Sequence, residues 1–201
     1  VVLFSLVIGL AAGAQFQNTN TFRREWANLP LFLAQLSWRA PAIQPGTLLL
    51  THDLPFQYYS DYSLSGVLNI QYAPEQKNDP AMPYLVMYMG DRAGGSLPGL
   101  QPGLAVEKNY RSLDFNGSTS QALVFFYSPP GCLRVLDPER EHEIPDAPDV
   151  YTQALALSRP ELIDTDPTQN AVPPPQWFPP QDESSWCYAF ERADRTGEQH
   201  R

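Results

Sequence analysis

The stretch from Pro41 to Pro74, PAIQPGTLLLTHDLPFQYYSDYSLSGVLNIQYAP, limits the possible folds more than any other part of the chain, because it spells a strand, a loop and a helix in order. Pro45-Gly46 marks a turn, and Thr47 to Thr51 is a short β-favouring apolar run. Ser60 is placed to cap a helix whose Leu64, Val67 and Leu68 recur at i, i+3 and i+4. A strand followed by a crossover helix is the first unit of an α/β fold with a mostly parallel sheet. In such sheets ligands bind outside the carboxyl ends of the strands. The loop at that edge carries His52, Asp53, Gln57, Tyr58, Tyr59 and Asp61, which are the candidate ligand-binding residues.

A second buried strand is expected over Tyr84 to Met89, a continuous apolar run between Pro83 and Gly90. Gln121 to Tyr127 predicts a third, with Leu104 to Glu107 a shorter one. Ser128-Pro129-Pro130-Gly131 then turns the chain into Cys132 to Leu136, which predicts a C-terminal β-hairpin. Tyr151 to Leu157 has the spacing of a single helix, and Trp186 to Phe190 reads as a last strand. Residues 191–201 read as the start of a helix cut short. The proline-rich run over 172–180 is extended by the chemistry of its residues.

Ahead of this unit, Val1 to Ala14 contains no charged residue. Residues 1–16 are read as the end of a transmembrane helix, shorter than the ~20 residues a complete span needs. A signal peptide ending at Ala12-Gly13-Ala14 and a buried core helix are the alternatives. Gln15 to Asn20 is a polar exit from that segment. Phe22, Trp26, Leu29, Leu33 and Leu36 then recur at helical spacing, so residues 17–40 form an amphipathic linker helix, with Pro30 expected to kink or restart it at Asn28. Its aromatic stripe is expected to pack on the sheet. Residues 41–190 form the α/β domain.

Two cues bear on the side of the membrane. Arg23-Arg24 beside the apolar segment favours the cytoplasm under the positive-inside rule. Cys132 and Cys187, the only two cysteines, lie in apolar surroundings without further metal ligands, and are expected to form a disulfide. The cysteines decide for an extracytoplasmic domain. Composition excludes one partner class: with 13 basic against 22 acidic residues and a net charge of −9, the chain repels a phosphate backbone, so no nucleic acid is expected to bind.

Catalytic templates are missing. There is no Gly-x-Ser-x-Gly elbow, no His-Glu-x-x-His helix and no Gly-x-Gly-x-x-Gly fingerprint. The glycine and proline loop over residues 90–103 lacks the Gly-Lys-Ser/Thr ending of a phosphate loop. Glu139, Glu141, His142 and Glu143 are read as a solvated acidic loop, and no metal site or cofactor is expected. Asn116-Gly117-Ser118 matches a glycosylation acceptor. His52 and Asp53 sit where a general base or a sugar-binding carboxylate would, but neighbours on a strand point apart, which favours a structural role for them.

The apolar start, WANLPLFLAQLSWRAP, PGTLLLTHDLPFQYYSDYSLSGVLN, PPGCLRVLDP and WCYAFERAD together resemble the extracytoplasmic C-terminal portion of large bacterial polytopic membrane proteins. Several such proteins are similar to membrane-embedded glycosyltransferases that use lipid-linked sugars. The resemblance spans nearly the whole chain and implies an accessory domain, with catalytic residues elsewhere. Its partners would be the membrane, the polytopic portion of the same protein or neighbouring membrane subunits. The competing expectation is a non-enzymatic interaction or structural module of a membrane complex, and a third is a secreted binding protein.

Overall fold

The computed structural model describes residues 2–56, 60–76, 80–90, 97–141, 144, 147–164, 166, 178 and 183–199. Three parallel strands form the middle of the fold: β2 (Thr47–Thr51), β3 (Tyr84–Tyr88) and β6 (Ala122–Phe126), in the order β3-β2-β6 with the short strand β7 (Arg134–Val135) outside β6. Leu49 sits level with Val86 and Leu123 across the parallel ladders. The expected α/β class with a parallel sheet is observed. All five residues of β2 are buried, and between its two threonines Leu48, Leu49 and Leu50 supply apolar surface to both faces.

One face of the sheet, with Leu49, Val86, Leu123 and Phe125, packs under α1 (Val2–Arg39) and α2 (Asp61–Tyr72). The other face, with Leu48, Leu50, Met87 and Val124, is covered by β4 (Ala105–Tyr110), β5 (Leu113–Ser118) and α3 (Asp149–Ala154), which continues as a 3-10 turn to Leu157. The helix expected over Tyr151 to Leu157 is thus α-helical only in its first part. A two-residue ribbon joins β1 (Ala42–Ile43) to β8 (Ile163–Asp164).

Ser60 and Ser63 close a reciprocal capping box at the start of α2. From the same helix, Asn69 donates to the Tyr84 carbonyl at 2.7 Å and accepts from its amide at 3.1 Å, and Ser65 Oγ accepts from the Val86 amide at 2.8 Å. Two polar residues at i and i+4 therefore satisfy the outer edge of β3, which no further strand covers among the described residues.

Four expectations are corrected. The segments expected as a transmembrane end and a linker helix are one continuous helix, α1. Its polar middle stays helical, with Thr19 and Thr21 hydroxyls donating to the carbonyls of Gln15 and Gln17. A proline inside a helix costs about 3 kcal/mol. Burial of Leu29, Phe32, Leu33 and Leu36, at about 1.5–3 kcal/mol each, outweighs that cost around Pro30.

Secondly, the aromatic stripe does not all pack on the sheet, because Phe22 and Trp26 are 53% and 64% exposed and the domain begins only at the next turns. Thirdly, Trp186 to Phe190 is the first part of a helix, α4 (Trp186–Gln199), rather than a strand followed by a helix from residue 191. Cys187, Glu191 and Asp194 lie at i, i+4 and i+7, so the pattern is helical once the charged residues are counted with the cysteine. Fourthly, only Arg134 and Val135 return antiparallel to Phe126 and Phe125, in place of a hairpin running through Cys132 to Leu136.

Cys132 and Cys187 form the expected disulfide, closing a sequence separation of 55 residues. It ties α4 to the segment ahead of β7. Apart from Phe178, the expected extended run over 172–180 lies outside the described residues, as does the stretch 91–96 of the glycine-rich loop.

Candidate functional site

The carboxyl end of β2 is organised by Tyr151, whose ring is fully buried. Its hydroxyl oxygen accepts from the backbone amides of His52 at 2.9 Å and Asp53 at 3.3 Å, and it lies 3.1 Å from Thr51 Oγ1. Thr51 Oγ1 in turn donates to the Asp53 carbonyl at 3.3 Å, so the phenolic proton is directed to Thr51. The chain of bonds fixes the backbone of the turn while leaving both side chains outside it.

His52 Nε2 is 3.6 Å from Asp53 Oδ2, with the His52 side chain 32% and the Asp53 side chain 63% exposed. The two side chains approach each other, contrary to the expectation that they point apart. Both residues lie past the last strand residue, so the alternation of a strand no longer applies. His52 Nδ1 is buried with no hydrogen-bond partner among the described residues, and the His52 ring lies 3.4 Å from where a side chain on Gly90 would begin. Gly90 follows β3, so the ends of two parallel strands meet here.

Of the other expected residues, Asp61 is buried in the first turn of α2, where its carbonyl accepts from Ser65 Oγ at 2.6 Å. Gln57, Tyr58 and Tyr59 lie outside the described residues. The structure brings together His52 and Asp53 of the candidate set and adds Tyr151, a residue that sequence reading left as one position on a helix.

α1 fixes which way this edge faces. Phe32 packs its ring against Phe56, past the end of β2, and Tyr127, past the end of β6, at 5.6 and 5.8 Å between centroids. Two turns later, Ala40 accepts from Tyr72 Oη at 2.8 Å, and Ile43 accepts from Tyr84 Oη at the start of β3, at 2.7 Å. α1 therefore runs antiparallel to the parallel strands. Its earlier half, exposed from Val2 to Thr19, leaves the domain beyond the carboxyl edge of the sheet. This helix is long and apolar enough to cross a membrane, and none of its most apolar stretch is buried.

Two further features were not legible in the sequence. At the opposite, amino edge of the sheet is a depression of about 430 Å³ between the Pro45-Gly46 turn, the end of α2 and β5. The second is a buried charge cluster between α1 and α4. Arg39, almost wholly buried, meets Asp194 at 3.1 Å, and Arg140 bonds the same carboxylate at 3.0 Å. Arg134 pairs with Glu141, so that part of the acidic loop is engaged by a partner rather than simply solvated, while His142 and Glu143 lie outside the described residues.

Glu191 is fully buried in this cluster and neither carboxyl oxygen has a hydrogen-bond partner among the described residues. Burial pushes its carboxyl up to about 8, with Asp194 adding to the effect and Arg39 and Arg134 opposing it. Glu191 is thus largely protonated at neutral pH. Burial likewise raises the Tyr72, Tyr84 and Tyr127 hydroxyls, whose hydrogen bonds serve packing.

Comparison of the chain with family models, curated proteins and solved structures gives no match. The functional reading rests on the geometry and the sequence.

Proposed function

We propose that this chain is the extracytoplasmic accessory domain of a membrane protein similar to membrane-embedded glycosyltransferases that use lipid-linked sugars. One observation carries the reading: α1 continues without a break from an exposed apolar half into a half that docks on the sheet, and it leaves past the carboxyl edge. From Leu29, the first docked leucine, back to Phe16 is 13 residues, or ~20 Å of helix. The docked part of the domain then stands beyond a head-group layer of about 5–8 Å, with His52 and Asp53 turned toward the bilayer. A long polar group carried on a lipid spans the remaining gap to that edge. The disulfide fits the oxidising side of the membrane.

An interaction module in a membrane complex is the second reading. It is favoured by Phe22 and Trp26, whose exposure on the segment between membrane and domain suits contact with a neighbouring spanning helix.

The test uses the full chain in membranes. After alkaline carbonate extraction it is expected in the pellet, and a cysteine introduced at exposed Glu139 is expected to react with a membrane-impermeant maleimide on intact cells. Transfer of sugar from a radiolabelled lipid-linked donor, measured with the whole membrane protein, is expected to fall in Asp53→Ala at unchanged thermal stability. A chain that washes into the supernatant, or a cysteine that reacts only after lysis, removes the membrane reading. Unchanged transfer per folded molecule removes the glycosyltransferase reading and leaves the interaction module.

A further inference from the structure

We propose that the depression at the amino edge of the sheet is a binding site for a small soluble ligand bearing a primary ammonium group, held by Asp114. This inference stands on the geometry of that edge and does not depend on the membrane reading. At about 430 Å³ the space falls in the size range of small-molecule sites, and its floor is apolar, formed by Met82, Pro83 and the flanks of Tyr72 and Tyr84. The hydroxyls of the two tyrosines are already committed to the Ala40 and Ile43 carbonyls, so the rings offer carbon surface only.

The polar side is electronegative. α2 ends at Tyr72 with Ala73 as its cap, and both line the depression; the Ala73 carbonyl accepts from the Gln76 amide at 3.1 Å, while the Tyr72 carbonyl has no following turn to donate to it. That end of the helix carries its negative dipole end, and no basic side chain lies in the last turn to complement it. Across the space stands Asp114. Its backbone is locked, with its amide donating to Pro80 and its carbonyl accepting from Met82, both at 2.7 Å. Among the described residues the carboxylate makes no hydrogen bond or ion pair. None of the described residues that line the depression is a lysine, arginine or histidine.

A carboxylate and a helix-end carbonyl over an apolar floor match an ammonium group on a short aliphatic stem: its N–H donors meet both acceptors, and the methylenes lie on Met82 and Pro83. A neutral polyol would leave the carboxylate without a counter-charge, and an anion would be repelled. The amino edge also lies on the far side of the domain from the exposed half of α1, which gives a ligand access from the aqueous phase.

Putrescine serves as the probe, with 1,4-butanediol as its neutral counterpart, added to the full ¹⁵N-labelled chain in detergent micelles at pH 7. Saturable shifts are expected at the amides of Gly46, Ala73 and Asp114 with putrescine and not with the diol. Asp114→Asn, which keeps the backbone bonds, is expected to weaken binding ~10-fold or more. Ala81→Leu is expected to fill the space and abolish binding with the carboxylate still present. Amide dispersion matching the parent chain checks that each variant is folded. No saturable shift, equal response to the diol, or undiminished affinity in folded Asp114→Asn overturns the proposal.

Discussion

Replacing Glu191 by glutamine is expected to make the fold more stable in alkaline solution and to flatten its dependence on pH. The carboxyl titrates near its ordinary 4.5 in the unfolded chain and near 8 in the native protein. Between those values the native state keeps a proton that the unfolded state has lost. Unfolding then releases a proton, and stability falls by ~1.4 kcal/mol for each pH unit. From pH 5.5 to 8 this amounts to about 3 kcal/mol, after which both states are deprotonated and the trend stops. The groups that face Glu191 are Arg39, Arg134 and Asp194, and both guanidinium groups are held by acidic partners of their own, which limits their help to a Glu191 carboxylate.

Glutamine has the shape of the protonated side chain and nothing to lose. At pH 5.5 the two proteins are expected to unfold at similar urea concentrations, and at pH 8.5 the variant is expected to be more stable by about 3 kcal/mol. Tryptophan fluorescence reports on the region, because Trp38 of α1 packs edge-on against Tyr188 of α4 at 5.1 Å. Every other titrating group is shared and cancels in the comparison. A stability difference that is the same at pH 5.5 and 8.5 would refute the assignment of a proton to Glu191.

Two further outcomes follow from the packing. Tyr151→Phe leaves the buried ring in place but strips the acceptor from the His52 and Asp53 amides, and is expected to destabilise the fold by about 1–3 kcal/mol and to speed hydrogen exchange at those two amides. Unaltered exchange there would mean that the turn does not rely on the hydroxyl. Replacing Cys132 and Cys187 together by serine opens a loop spanning 55 residues, and is expected to lower stability by about 4 kcal/mol on the chain-entropy account, read as a reduced urea midpoint. An unchanged midpoint would mean that the remaining contacts of α4, including Arg39 with Asp194, already hold the helix in place.

What the sequence determined by itself was local or periodic. The run Tyr84 to Met89 read as a strand buried on both faces, Ser60 marked the start of α2, and two cysteines in apolar settings announced their bond. The uncharged start of α1 likewise declared that it needs something other than water around it. Tertiary structure decided what depends on partners far apart in the chain. Pro30 stays within a helix because the sheet buries the leucines and phenylalanine around it, a term absent from any local preference. WCYAF has the residues of a strand and became a helix because Glu191 and Asp194 extend its inward face toward Arg39, 152 and 155 positions earlier in the chain. His52 and Asp53 were visible as residues, but their support was not, since Tyr151 reaches them from about a hundred positions away. The space beside Asp114 exists only where a turn, a helix end and a strand from separate parts of the chain fail to close on one another, and no single segment carries a sign of it.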